Sequence, residues 1–117
     1  MSVNKVILVG NVGRDPEIRY VEKRPVATFS LATTERARTT SAGVEIPERT
    51  EWHRIVMWDK AAEIAERYIT KGTKLYVEGK LRTRTWKDFN AIERTVTEIV
   101  VEEFDILQRA SASPAQR

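Results

Sequence analysis

The sequence contains no cysteine. That excludes a disulfide framework, a thiolate metal site and a cysteine nucleophile, and it fits a reducing compartment. It contains one histidine, too few for a histidine-cluster metal centre. Long apolar runs are absent as well. The opening "MSVNKVILVGN" carries Asn4 and Lys5 ahead of a short apolar stretch that stops at Gly10. It has neither the layout of a secretory signal nor the length of a membrane span. A soluble, cytoplasmic protein with no membrane partner is expected. No nucleophile–base arrangement, phosphate loop or ligand cluster stands out. Neither an enzyme nor a cofactor is therefore expected. The chain's 117 residues suit one domain with a real hydrophobic core. Its net charge of +3 leans toward an anionic partner. The placement of that charge says more than its total.

β-Branched residues crowd "KVILVGNV", which predicts a first strand. The chain then bends at Pro16, and Ile18 and Tyr20 begin a further extended piece. "VATFSLATTE" alternates and predicts a second strand with Ala27, Phe29 and Leu31 inward. "RARTTSAGVEIPER" is small and polar, broken by Gly43 and Pro47, and reads as a long exposed loop. "TEWHRIVMW" is the third strand. In "DKAAEIAERYITKG" the period changes: Ala61, Ile64, Ala65, Tyr68 and Ile69 recur at helical spacing. Asp59 is placed to cap that helix, and Lys71 and Gly72 suit its end. "KLYVEGKLRTRTW" alternates again as a fourth strand, "KDFNAIER" is a turn, and "TVTEIVVEEFDIL" is a fifth strand. Three strands, one helix and two strands give an all-β, five-stranded OB-fold Greek-key barrel with one helix between strands 3 and 4. Residues 1–107 form this domain. "QRASASPAQR", residues 108–117, has no apolar pattern and reads as a short flexible tail.

Strand parity exposes an unusual mixture. On the third strand Ile55 and Met57 point inward with His53, which reads as a buried or interface histidine. Trp52, Arg54 and Trp58 share the opposite face. On the fourth, Leu75, Val77, Gly79 and Leu81 point inward. Tyr76, Glu78, Lys80, Arg82, Arg84 and Trp86 point outward. Single-stranded nucleic acid has a charged backbone and bases with open π-faces. Guanidiniums meet the phosphates and indoles stack on the bases, each stack contributing about 1–3 kcal/mol with little regard to base identity. A duplex hides those faces. The aromatic and cationic outer faces therefore point to single-strand binding. Glu78 interrupts the basic row, and Tyr76 and Glu78 suit a subunit contact instead.

"NKVILVGNVGRDPEIRY", "TEWHRIVMWDKAAEIAERYITKG" and "YVEGKLRTRTW" together resemble the bacterial single-stranded DNA-binding protein family, over about Val3 to Val101. The resemblance implies an OB-fold, a homotetramer, and sequence-tolerant binding of single-stranded DNA in replication, recombination and repair. By position, Trp52, Trp58 and Trp86 fall where the family stacks bases, Trp58 standing in place of a more usual phenylalanine. Arg54, Arg82 and Arg84 match its basic contacts, with Lys60 and Lys71 flanking. His53 and Tyr76 fall in its subunit-contact regions. Ala37 stands where the family often has a further tryptophan, so one platform fewer is expected. The family's long linker and acidic tip, which recruits replication and repair proteins, has no counterpart in "SASPAQR". Replication and repair proteins stay candidate partners, with the usual acidic tip absent from this stretch.

Two other readings share the fold: an RNA-binding OB-fold protein, and a primosome-type adaptor that holds other proteins. For assembly, the first strand, with Lys5 and Ile7, is short and β-branched. As a barrel edge it would pair with its own copy. Tyr76, Glu78 and His53 would then join two dimers into the tetramer.

Overall fold

The computed structural model describes residues 1–110. The expected tail lies outside the described residues from position 111 onward. Ahead of that point Gln108 is still in a strand, and the Arg109 guanidinium sits 5.9 Å from the Tyr68 ring centroid.

Eight strands and one helix follow in chain order. They are β1 (Val6–Val12), β2 (Glu17–Val21), β3 (Arg24–Glu35), β4 (Arg38–Thr39), β5 (Glu45–Ile46), β6 (Arg49–Trp58), α1 (Lys60–Tyr68), β7 (Lys74–Lys87) and β8 (Glu93–Gln108). Five of these, β1, β3, β6, β7 and β8, are the expected strands, and α1 lies between the third and fourth of them. β2 adds a sixth, paired to β3 from Glu17↔Thr28 to Val21↔Arg24. The sheet runs β1-β7-β8-β6-β3-β2 and curls until β1 also meets β3. That seam consists of Asn11↔Ala32 and Val12↔Leu31. The result is an OB-fold barrel. All long pairings are antiparallel except β6 with β8, which touch in parallel at Ile55↔Ile99 and Val56↔Val100.

Alternation does the sorting. Ala27, Phe29 and Leu31 of β3, Ile55 and Met57 of β6, and Leu75 and Val77 of β7 all fill the interior. Each fully buried Leu, Ile or Met contributes about 1.5–3 kcal/mol. Gly79 lets the sheet fold over itself, because a Cβ there would collide with the Val100 carbonyl oxygen. α1 packs on β3 and β6 through Ala62 and Ala65, and Ile69 just beyond it is buried as well. The buried stripe is thus rotated from the expected one, and Tyr68 is exposed.

Four expectations are corrected. The "RARTTSAGVEIPER" segment is not all loop: β4 and β5 pair as a small ribbon, closed by Gly43 at φ 85°. Asp59 makes no capping hydrogen bond. Its carboxylate instead accepts two bonds from Arg24, at 3.0 Å from Nε and 2.7 Å from Nη2. A bidentate pair between two opposite charges outcompetes a cap in which only the carboxylate is charged. Gly72 does not end the helix. It serves the following turn at φ 93°, its N–H donating to the Val12 carbonyl. Leu81, expected inside, is 48% exposed. β1 covers β7 only as far as Gly79, so Leu81 lies past the covering strand although its partner Ile99 on β8 is still buried against β6; from Arg84↔Val96 outward β7 and β8 run on as a two-stranded arm.

Candidate nucleic-acid interface

β6 supplies the centre of the site. Ile55 and Met57 anchor its inner face, so period two turns Trp52, Arg54 and Trp58 outward. Val56, on the same outward parity, is buried between its neighbours. Trp52 is 59% exposed. Its indole lies against the end of β1, where a Cβ on Gly13 would strike the ring. Only a glycine lets the aromatic platform rest on backbone there. Trp58 is half-buried, and the Arg24 guanidinium sits 4.6 Å from its ring centroid. Arg24 is itself fixed by Asp59, whose pKa is held below its ordinary value by that hydrogen bond.

Two grooves meet at Arg54. One runs past Arg14, Ser30, Trp52 and His53 to Arg54. The other runs from Arg54 past Trp58, Arg19, Arg82 and Arg84. Thr28 of β3 lines both. Together they form a track along the outer faces of β3, β6 and β8 with an indole in each half.

Glu98 of β8 underlies the second groove. Its side chain is 7% exposed, and both oxygens are occupied. Arg54 Nε donates to Oε2 at 2.9 Å and Arg84 Nε donates to Oε1 at 2.9 Å. Burial pushes the Glu98 carboxyl up, but the two guanidiniums outweigh burial and hold it below its ordinary value. Arg82 faces Glu98 directly across the β7–β8 ladder. It makes no ion pair among the described residues.

The other candidates are spread more widely. Trp86 lies on the arm, opposite Arg94, and is 46% exposed. Arg94 is tied to Asp88, whose carboxylate also receives the Asn90 and Ile92 N–H groups and so fixes the turn. Lys60 begins α1 and lines a separate groove with Tyr20 and Arg67. Lys71 sits in the turn before β7, its backbone N–H donating to Asp15 at 2.8 Å. Ala37 lies beside the β4–β5 ribbon.

Of the residues expected at a subunit contact, four come together on the outer face of β1 and β7. Lys5 lies 3.3 Å from Glu78, and the Tyr76 hydroxyl donates to the same carboxylate. That hydrogen bond pushes Tyr76 up, and Tyr76 and then Lys5 hold Glu78 down. Ile7 pairs opposite Glu78 and is exposed, as is Val9 opposite Tyr76. β1 pairs with β3 only at Asn11 and Val12 and Gly10 packs against Ala32, so its remaining edge is unpaired from Val6 to Val9 among the described residues. His53 is elsewhere. It lines the Trp52 groove, and its Nε2 is hydrogen-bonded to Thr33 Oγ1 at 2.8 Å.

Reading by residue type missed Gly13, Arg14, Arg19, Arg24 and Glu98. Only Glu98 left a clear signal: a carboxylate inside the apolar run "TEIVV".

Comparison with known proteins agrees with this geometry. The family model described as the single-strand binding protein family matches residues 3–107. A protein named single-stranded DNA-binding protein from Bacteroides thetaiotaomicron is 52% identical over 114 residues, covering 97% of this chain and 71% of the relative. Among solved structures, the Plasmodium falciparum SSB in complex with single-stranded DNA superposes with a TM-score of 0.82 at 36% identity. That match covers 92% of this chain and 97% of the other.

Proposed function

The chain belongs to the single-strand binding protein family, and on that premise we propose that it binds single-stranded DNA with little regard to sequence. One observation carries the reading: Trp52 and Trp58 stand on one outer strand face with Arg54 between them and shared by both grooves. Bases stack on the two indoles, and phosphates meet the outward amines of Arg54, Arg82 and Arg84. Trp86 extends the track onto the arm, with Lys60 and Lys71 flanking. The relatives' names and the DNA-bound neighbour support the same partner. The action is binding and protection of the strand in replication, recombination and repair, in the cytoplasm, with no catalytic step. No helix among the described residues is long and apolar enough to cross a membrane.

Residues 1–107 are the binding domain. The assembly is a homotetramer. The unpaired Val6–Val9 edge and the apolar pair Ile7 and Val9 support pairing of β1 with its copy. The Lys5–Glu78–Tyr76 network lies alongside and suits a contact between dimers. His53 serves a separate contact. Several linked tracks then share one strand, and linkage raises the effective concentration of each later contact.

The test is a tryptophan-fluorescence titration. Oligo-dT should quench emission strongly, and duplex of equal length should not. Equal quenching by both would remove the stacking mechanism. A matched RNA oligomer that binds more tightly than DNA would favour the RNA-binding alternative.

A further inference from the structure

Glu98 is an odd residue to find beneath a cationic track. An acidic group there weakens attraction for phosphate, yet it sits on the central strand with its side chain 7% exposed. β7 and β6 approach it from opposite sides. Arg82 is directly across the β7–β8 ladder, and Arg84 is the next residue on the same face. On the other side the parallel register Ile55↔Ile99 sets Arg54 beside it. Each oxygen accepts one Nε–H, and both distances are 2.9 Å. The bond is made by Nε in each case, which leaves the terminal amines of both guanidiniums available to a ligand. Neither arginine could be held this way by its own strand.

We propose that Glu98 is a positioning residue: it joins Arg54 of β6 to Arg84 of β7 at one fixed spacing and lowers the charge the pair presents to DNA from +2 to +1. This rests on the single-strand reading above. The carboxylate exchanges raw attraction for orientation. A guanidinium already fixed loses less conformational freedom when it meets a phosphate. A lower local charge also makes binding less sensitive to salt, because fewer counterions are released.

Charge and position separate in two variants of the full chain, measured against oligo-dT across a salt series. Glu98→Gln removes the charge and keeps the size. Its log–log salt slope should steepen by about 0.7, the value for one further phosphate neutralised on a single strand. It should bind at least as tightly as wild type in low salt and more weakly in high salt, so the two lines cross. Glu98→Asp keeps the charge but draws the carboxylate back by one methylene. Its slope should match wild type, and its affinity should fall about tenfold at every salt concentration, a loss of about 1.4 kcal/mol. Circular dichroism and melting confirm that each variant folds. If Glu98→Gln does not fold, Glu98→Asp still decides the positioning role. Lines parallel to wild type for Glu98→Gln, or wild-type affinity for Glu98→Asp, would overturn the proposal. Failure of the wild type itself to bind oligo-dT would instead remove the single-strand reading beneath it.

Discussion

The barrel has two outer faces that carry charge, and they are built in opposite ways. On β1 and β7, Lys5, Tyr76 and Glu78 satisfy one another, with the exposed apolar Ile7 and Val9 on one side and the exposed carboxylates of Glu103 and Asp105 on the other. On the other face, four guanidiniums, Arg19 of β2, Arg54 of β6, and Arg82 and Arg84 from the far end of β7, line a groove with one carboxylate, Glu98 of β8. The residue standing among them is an indole. The first face pairs its cation Lys5 internally, is left acidic, and offers apolar surface on β1, which another protein surface covers well. The second keeps positive charge in excess and offers π-faces, which suit a polyanion with unstacked bases. Charge count alone does not separate the faces. What separates them is the sign of the charge left over and what lies between the charged groups.

The comparison is broken most severely at the proposed assembly face. Ile7→Asp sets a carboxylate directly opposite Glu78. Light scattering should show the proposed tetramer falling to smaller species. Affinity for long oligo-dT should drop about a hundredfold as linkage is lost. A short oligomer that fills one subunit should bind as before. An intact tetramer would show that this face is not a subunit contact.

The stacking residues come next. Trp52→Ala and Trp58→Ala should each cost about 1–3 kcal/mol in binding, measured by titration with a short oligomer. Trp86→Ala should matter less there, because the arm stands apart from the two grooves, and should count mainly on longer strands. Equal losses at all three positions would mean the arm folds over the track.

Arg82→Ala is subtler. The salt slope should become shallower by about 0.7 with base preference unchanged. An unchanged slope would mean that Arg82 does not meet phosphate.

The smallest effect is on pH. Glu98 is held below its ordinary value in the folded chain. The unfolded chain therefore takes up that proton first as pH falls. The stabilisation is complete above the unfolded value, about 4.3, and is lost as pH falls through the lower folded one. Melting temperature should decline in that acid window. In Arg54→Met/Arg84→Met only burial acts on Glu98, its pKa rises, and this contribution should change sign.

The sequence was most legible where one face of a strand is dry. Period two then sorts side chains, and it placed Phe29, Leu31, Ile55, Met57, Leu75 and Val77 in the core. It failed at Leu81, because β1 ends its cover of β7 at Gly79 and leaves the next inward position to solvent. The helix was found by its period, but its cap was not: Asp59 had a stronger partner in Arg24, thirty-five positions earlier in the chain. The candidate site divided along the same line. Trp52, Arg54 and Trp58 could be read together because they lie on one strand. Gly13 beneath Trp52, Arg24 over Trp58 and Glu98 between two arginines come from other strands, and only the closed sheet brings them there. Linear spacing holds no record of such meetings.

The seam that closes the barrel has a consequence of its own. β1 follows β7 from Val6 to Asn11, yet it meets β3 only at Asn11 and Val12. β7 and β8 are joined by a turn fixed by Asp88 and run side by side over nearly their whole length. Native-state amide exchange should therefore be uneven. The central β7–β8 ladder should exchange only on global unfolding, while the β1–β3 junction opens alone at lower free energy. In refolding the order should reverse: the local hairpin forms early, and the distant seam is the last part of the sheet to close.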